Sequence, residues 1–292
     1  MATGETLGHY WSHITVAAAI TGQAIVTLLR GPDPFFALYA ALIAGGVWAW
    51  HGRAIQRASV ADGWEIQALT WDIHVNRRPA PSDSELYREL TARMRQTGQH
   101  VRTGVGRHGL ERITLATSSE PGGYSDARST RHRALGHLWL GMRWFNPRHT
   151  RHLPAVLEHE LAHLTRRDTT KRLVAETAAV TATALASGLL ATGSFALTAL
   201  GAWLLTTLYH WSVEIACDLH AVRACGREPV AEMWRADLAL ERSRPRALRI
   251  RGTLCALRTH PPLRLRVFCA MRLPVSTPLA PAAHPLHAPA AA

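Results

Sequence analysis

Residues 158–168 read EHELAHLTRRD, in which His159 and His163 stand four positions apart with Glu160 beside the first. Side chains at positions i and i+4 share one face of an α-helix, so both imidazoles can point a nitrogen at one ion. Glu160 lies about 100° round the helix, where its carboxylate can take a proton from an attacking water without binding the metal. The stretch predicts a helix that carries part of a hydrolytic zinc site; the alternative is a helix with two surface histidines.

A second segment, EIACD at 214–218, contains a candidate for the third metal ligand, which the first segment lacks. A catalytic zinc takes three protein ligands and keeps one position open. Glu214 can be the third ligand, and Asp218, one helical turn later, can accept the N–H of a ligating histidine and fix its tautomer. Read alone, both would be solvated surface acids. Read with the histidines, they predict one Zn²⁺ site per chain.

A third segment, THPPLRLRV at 259–267, contains a histidine and an arginine that can serve the same site. His260 can donate a hydrogen bond to a developing oxyanion. Arg266 can bind a substrate carboxylate or an acidic structural partner. The alternatives are a His-Pro-Pro turn and one more solvated arginine, and spacing alone favours them.

The apolar residues, 47% of the 292, are concentrated in long stretches. Asp, Glu, Lys and Arg are absent from 14–29, 35–50 and 177–209. A globular core is interrupted by charges more often than this, so the pattern indicates an integral membrane protein. The first twelve residues lack the positive charge of a signal peptide.

The apolar stretches predict two helical hairpins. Residues 10–29 and 35–50 form the first, and the arginines that begin at Arg53 place the downstream domain and the N-terminus on the cytoplasmic side. Residues 173–210 form the second, turning at 191–194. The zinc ligands flank this segment, so it must cross the bilayer an even number of times; the alternative is a buried hairpin of a soluble domain.

Between and after the hairpins the chain is polar. It predicts an amphipathic helix at 82–99, strands at 111–119 and 137–144, a turn at 121–123 and a helix opening at Pro154. The predicted organisation begins with a membrane hairpin at 1–50, a catalytic region with the motif helix at 51–172 and a second hairpin at 173–210. A C-terminal catalytic region at 211–272 and a disordered Pro/Ala tail at 273–292 follow. The predicted fold class is mostly α (α+β), with a small sheet beside the motif helix.

The net charge and the cysteines argue against a nucleic-acid-binding protein and against a cysteine metal site. The net charge of +12 comes almost entirely from arginines that are scattered or flank apolar segments, without a basic tract interleaved with aromatics, so no specific nucleic-acid partner is predicted. The four cysteines form no CxxC pair, so they predict buried small side chains or free thiols rather than a metal knot.

The chain contains, in this order, the HELAH motif with Asp168 five residues after its second histidine, the apolar hairpin, ExxxD and HPPxxxR. This arrangement resembles the membrane zinc metallopeptidases of the HtpX heat-shock protease and type I CAAX prenyl protease family. The resemblance covers roughly residues 1–270. It implies a gluzincin-type metalloendopeptidase in which His159, His163 and Glu214 bind zinc, Glu160 is the general base and Asp218 orients a ligand. It also raises the expectation that His260 and Arg266 are functional.

The resemblance further implies a multi-pass membrane protease, with its active site at the cytoplasmic face, that acts in membrane-protein quality control. Its partners would be the lipid bilayer and polypeptide substrates, unfolded or membrane proteins, that bind extended along an edge strand near the zinc. The 137–144 strand is the candidate for that edge, and a proline at Leu140 would then impair cleavage but leave zinc bound.

Two departures from the family pattern stand out. His210-Trp211 occupies positions where the family often has Ser-Arg, and the His-Pro-Pro segment lacks the acidic residue often found before its arginine. HELAHLTRRD is also similar to the peptidase domains of beta-lactam sensor-transducers, which is one alternative. A catalytically silent membrane adaptor of the same fold is another, although the intact Glu160 argues against it.

Overall fold

The computed structural model describes residues 2–72, 96–101, 108–116, 127–146 and 149–275. They are mainly helical with one small sheet, which confirms the predicted fold class. The eight longer helices of these residues are α1 Ala2–Arg30, α2 Pro34–Asp72, α3 Leu153–Arg166, α4 Asp168–Leu189, α5 Thr192–Cys225, α6 Arg227–Ser243, α7 Arg246–Leu257 and α8 Leu263–Arg272. The strands are β1 Arg112–Ala116, β2 Ala127–His132 and β3 Leu135–Leu140.

The chain divides into two compact units, and the first comprises Met1–Arg57 and Thr170–His210. Small side chains let its helices approach closely: Ala41 and Ala44 of α2 and Ala184 of α4 are buried with Val16 of α1. At Gly188 of α4 a Cβ atom would lie 2.4 Å from the Cβ of Ala37. Close backbone approach through Gly and Ala is the packing mode typical of helices in lipid.

The two predicted hairpins are present as helix pairs with different lengths. The second reverses between Leu189 and Thr192, next to the predicted turn. Helix α2 continues to Asp72, well beyond its apolar part, and α5 continues to Cys225. Apolar composition therefore located these helices but did not fix their ends, because a helix continues through polar residues that still favour it.

Two segments of the described helices, Trp11–Arg30 and Pro34–Val60, are long and apolar enough to cross a membrane, by length and composition alone. Helices α4 and α5 are not among them, so a crossing by 173–210 stays a prediction. Glu176, the single acid of α4 within the first unit, lies 3.5 Å from the Nε2 atom of His210. The buried His210 ring therefore has a carboxylate beside it.

The second unit comprises Ala58–Thr169 and Trp211–Ala292 and contains the sheet. The strand order is β1-β3-β2, with β3 parallel to β1 and antiparallel to β2. The predicted strand at 111–119 is present as β1. Strand β2, ARSTRH, was not predicted because it lacks alternating apolar residues.

Strand β3 corrects the prediction for 137–144. The strand spans Leu135–Leu140, and Met142–Phe145 form a 3-10 turn instead. Because β3 pairs with a strand on each side, it is the centre of the sheet, and the prediction that it is a free edge for substrate is wrong. A proline at buried Leu140 would disturb the core rather than a substrate contact.

Helix α3 packs against β2 and β3. Pro154 stands in its first turn, as predicted, where a missing N–H costs no helical hydrogen bond. Leu157, Leu161 and Leu164 lie on one face at helical spacing and are buried with Leu138 and Leu140 of β3. This apolar face fixes the rotation of α3 and so decides where His159, Glu160 and His163 point.

Some predictions fall on other parts of the chain. Of the predicted helix 82–99, residues 96–99 are helical, and the remainder lies outside the described residues. The 121–123 turn and the tail from residue 276 onward also lie outside them.

Candidate metal centre

Helix α3 ends in a turn that shapes the site. Arg167 adopts the left-handed conformation, with φ 58° and ψ 37°, and its N–H bonds to the carbonyls of His163 and Leu164. A residue with a Cβ atom pays roughly 1–2 kcal/mol for this conformation. The turn redirects the chain so that the Asp168 carboxylate reaches back to His163, five residues earlier.

The three predicted ligands converge. Nε2 of His159 and Nε2 of His163 are 3.2 Å apart, and the Glu214 carboxylate lies 3.5 Å from the first and 3.4 Å from the second. Zinc bonds of about 2.0–2.1 Å in a tetrahedron place neighbouring ligand atoms about 3.3 Å apart. The two nitrogens have this spacing, and each has one oxygen of the Glu214 carboxylate, a different one in each case, within 3.5 Å, so the three residues fit a zinc ion.

The second nitrogen of each histidine faces a carboxylate. Nδ1 of His159 is 2.9 Å from Oδ1 of Asp218, and Nδ1 of His163 is 3.1 Å from Oδ2 of Asp168. Each ring can donate its Nδ1–H to a carboxylate and turn the lone pair of Nε2 toward the other ligands. Asp218 thus lies where the sequence placed it, and Asp168 makes the matching contact to the other histidine.

Burial and pairing act in opposite directions on these groups. Burial alone would lower the pKa of His159, but hydrogen bonds with Asp218 and Glu214 raise it to about 9. Burial would raise the pKa of the Glu214 carboxyl, but hydrogen bonds from His159 and His163 hold it well below the usual range. The carboxylate is therefore ionised and suited to a cation, which must compete with protons for the imidazoles.

Arg266 lies at the back of the site rather than in solvent. It is 3% exposed, and its Nε and Nη2 atoms each donate to Asp218 at 2.8 Å. Nη2 also lies 3.1 Å from Glu214, and the guanidinium stacks on Trp234 with 3.5 Å to the ring centre. Of the two roles expected for Arg266, the geometry matches the acidic structural partner. Burial would raise the pKa of the Asp218 carboxyl, but Arg266 lowers it.

Trp234 of α6 is a contact that the sequence did not indicate. Its Nε1–H donates to Oδ1 of Asp218 at 3.1 Å, and its ring lies edge-on to His159 at 5.8 Å between centres. No motif marks this tryptophan; only the packing of α6 brings it to the site.

Glu160 is buried, follows His159 in α3, and is not part of the group formed by His159, His163 and Glu214. Its Oε2 atom accepts a hydrogen bond of 2.8 Å from the hydroxyl of Ser129 on β2. Ser129 was also not indicated by the sequence, because it stands in a strand without apolar alternation and far from every motif.

His260 lies at the exposed side of the site. Its side chain is half exposed, its Nε2 atom is 3.7 Å from Oε1 of Glu214, and its Nδ1 atom is hydrogen-bonded with the Thr259 hydroxyl at 2.8 Å. This position is open to a substrate. A role as oxyanion donor stays a prediction.

Cys217 joins the surroundings of His163. It is buried, and its thiol donates to Oδ2 of Asp168 at 3.3 Å. Burial raises the pKa of this thiol, and the Asp168 carboxylate adds to the rise, so the group is a neutral donor. Cys225 and Cys269 are free as well, Cys269 buried and Cys225 partly buried, as expected for small apolar side chains.

Comparison with known proteins gives one match. Residues 145–270 match the model of the family described as Peptidase family M48. No curated protein and no solved structure matches the chain. The matched segment contains His159 and His163, the predicted ligands, with Glu214, Asp218 and Arg266, and the match supports a metallopeptidase of the M48 family.

Proposed function

We propose that the protein is a zinc-dependent membrane endopeptidase of the HtpX-like type that hydrolyses peptide bonds at the cytoplasmic face of a membrane. One observation carries the proposal: two histidine nitrogens and a buried glutamate converge at zinc-ligand spacing, and the buried Glu160 follows the first of these histidines in the same helix. The M48 match over the same residues supports it.

The site residues divide the chemistry among them. His159, His163 and Glu214 would hold one Zn²⁺, which when bound polarises a carbonyl and acidifies a water. Glu160 accepts the proton of the attacking water and returns it to the leaving amine. Asp218 and Asp168 keep the two imidazoles oriented, and Arg266 fixes Asp218. His260 is placed to donate to the developing oxyanion.

The surface of the first unit supports membrane insertion. Its helices expose large apolar side chains, which a soluble protein rarely leaves in contiguous patches. Examples are Leu29 and Phe35, 77% and 85% exposed, and on α5 Leu197 and Leu205, 72% and 70% exposed. The α5 residues support lipid contact for the second hairpin too. Arginines after the apolar part of α2, beginning at Arg53, favour the cytoplasmic side for the catalytic residues.

Substrate polypeptides would bind extended, and strand β2 is the better candidate for the edge that pairs with them. Among the strands of the described residues it lies at an edge of the sheet, and it packs against α3 and carries Ser129 in contact with Glu160. Main-chain pairing is tolerant of sequence, which suits unfolded or membrane-protein substrates and a role in membrane-protein quality control.

The proposal is tested on detergent-purified protein by zinc content and proteolysis, wild type beside Glu160→Gln. We expect about one zinc per chain in both, and cleavage of casein or an unfolded membrane protein by wild type alone, stopped by a chelator. The variant keeps the size and the hydrogen bonding of residue 160 but removes the base, and loss of a general base typically costs 10²–10⁴-fold in rate.

Other outcomes separate the alternatives. If folded wild type binds no zinc when zinc is supplied, the metal site and the peptidase both fall. If it binds zinc but cleaves none of a broad panel of polypeptides, a silent adaptor is favoured instead.

A further inference from the structure

A groove opens beside the metal centre within the second unit. It lies between α6, α7 and the His-Pro-Pro segment and has a cavity volume of about 460 Å³. His260 and Arg266 line it, and both approach Glu214, at 3.7 Å and 3.1 Å. The groove therefore begins at the residues that would hold the metal.

The groove continues away from the centre. A second cavity of about 410 Å³ shares five lining residues with the first: Leu238, Glu241, Arg249, Thr253 and Arg264. The two cavities therefore adjoin at these residues and form one continuous groove. Leu248 and Leu257 add apolar wall to the first cavity.

The charge of the groove is mainly positive, because arginines outnumber acids in its lining. Of the two acids, Asp237 is 2.8 Å from Nη2 of Arg143, and Glu241 keeps its negative charge while it accepts a hydrogen bond from Thr253 at 2.8 Å. Arg249 and Arg264 stand at the junction of the two cavities, and among the described residues no carboxylate forms an ion pair with either.

The surrounding sequence strengthens this imbalance. Residues 242–292 contain no Asp or Glu, while arginine stands at 242, 244, 246, 249, 251, 258, 264, 266 and 272. A groove with one sign of charge attracts the opposite sign and does so most strongly where its walls are apolar.

We infer that this groove binds the substrate chain on one side of the scissile bond and selects a carboxylate there, with Arg249 and Arg264 as its counter-charges. The inference rests on the proposed peptidase function and adds a substrate class to it: peptides with apolar residues and a nearby acidic side chain. A free C-terminal carboxylate has the same chemistry, so the test must separate the two sources.

The test is peptide binding to the full-length Glu160→Gln variant with zinc, measured by fluorescence anisotropy in detergent. The probes are labelled decapeptides that differ at one position, Glu or Gln, in a leucine-containing sequence with a C-terminal amide. A third probe has Gln at that position and a free C-terminus. We expect the Glu peptide to bind about tenfold more tightly than the amidated Gln peptide, with the ratio shrinking at high salt.

Substitutions then assign the effect to the groove. Arg249→Gln with Arg264→Gln should bring the Glu/Gln ratio close to one. Arg251→Gln with Arg272→Gln, which removes the same two charges from exposed positions that do not line the groove, should leave the ratio near tenfold. If only the peptide with the free C-terminus binds tightly, the groove recognises chain ends, and selection of an acidic side chain is overturned. Equal binding of all three probes, or a ratio that survives the first double substitution, overturns the inference.

Cleavage by protein with Glu160 intact keeps the two proposals apart. Hydrolysis of the Glu and Gln peptides at equal kcat/KM, without a binding preference, would retain the peptidase and remove the acidic selection. A binding preference without any hydrolysis would retain the acidic selection and remove the peptidase.

Discussion

The Ser129–Glu160 contact joins the sheet directly to the proposed base. The serine hydroxyl donates to Oε2 at 2.8 Å, so it holds the carboxylate on the β2 side of the site. A hydrogen bond to a charged group contributes roughly 1.5–3 kcal/mol, which makes this contact a substantial constraint on the direction of Glu160.

Replacing Ser129 by alanine should lower kcat about tenfold while KM and zinc content stay nearly constant, because the carboxylate loses its orienting donor but no zinc ligand changes. Steady-state kinetics with metal analysis measures this. Ser129→Thr, which keeps the hydroxyl on a residue that favours strands, should restore most of the rate. Loss of zinc in Ser129→Ala, or an unchanged kcat, would show that the contact does not position the base.

Helices α2 and α4 illustrate how small residues set an element's position. At Gly188 an added Cβ would meet the Cβ of Ala37 at 2.4 Å and its Cα at 2.7 Å, and the latter is backbone that cannot rotate away. The N–H of Asp33 also bonds to the Gly188 carbonyl at 3.3 Å. The first unit therefore depends on close approach at this point.

Gly188→Ala should destabilise the first unit and lower the thermal unfolding midpoint in detergent, because overpacking typically costs 1–3 kcal/mol. Gly46→Ala is the matched control: it lies in α2 with nothing within 4 Å of the added Cβ, and it should be neutral or raise the midpoint through helix propensity. Equal midpoints for the two variants would contradict the close contact.

The response of the fold to acid depends on His152, which is buried next to the first turn of α3. The Nε–H of Arg151 donates to its Nε2 atom at 3.2 Å, so the folded protein requires the neutral ring. Burial, with Arg151 adding to the effect, lowers the pKa of His152 from 6.5 to about 4. The unfolded chain therefore takes up this proton first as the pH falls.

The free energy of unfolding should accordingly decrease between pH 6.5 and about 4 through His152, and not above this window. Thermal unfolding of wild type and His152→Gln across pH 7.5 to 4 isolates the effect, because other titrating groups are common to both. The variant starts less stable but should lose less stability on acidification. Parallel curves for the two proteins would exclude the assignment.

The sequence determined the parts of the molecule that local spacing encodes. The HExxH spacing places His159 and His163 on one helical face, and the apolar stretches located both hairpins. Glu214 and Asp218 lie one turn apart, so their relation to each other was also predictable. These features depend on the period of an α-helix or on composition, and neither needs knowledge of distant contacts.

Only the tertiary structure decided which distant groups meet. Ser129 and Trp234 reach the site through the packing of β2 and α6 against α3, and no spacing in the chain relates them to the motifs. Pairing likewise made β3 the central strand, because a polar β2 completes the sheet. Hydrogen bonds between strands and burial of Arg266 against Asp218 depend on neighbours far along the chain, and that is why periodicity could not specify them.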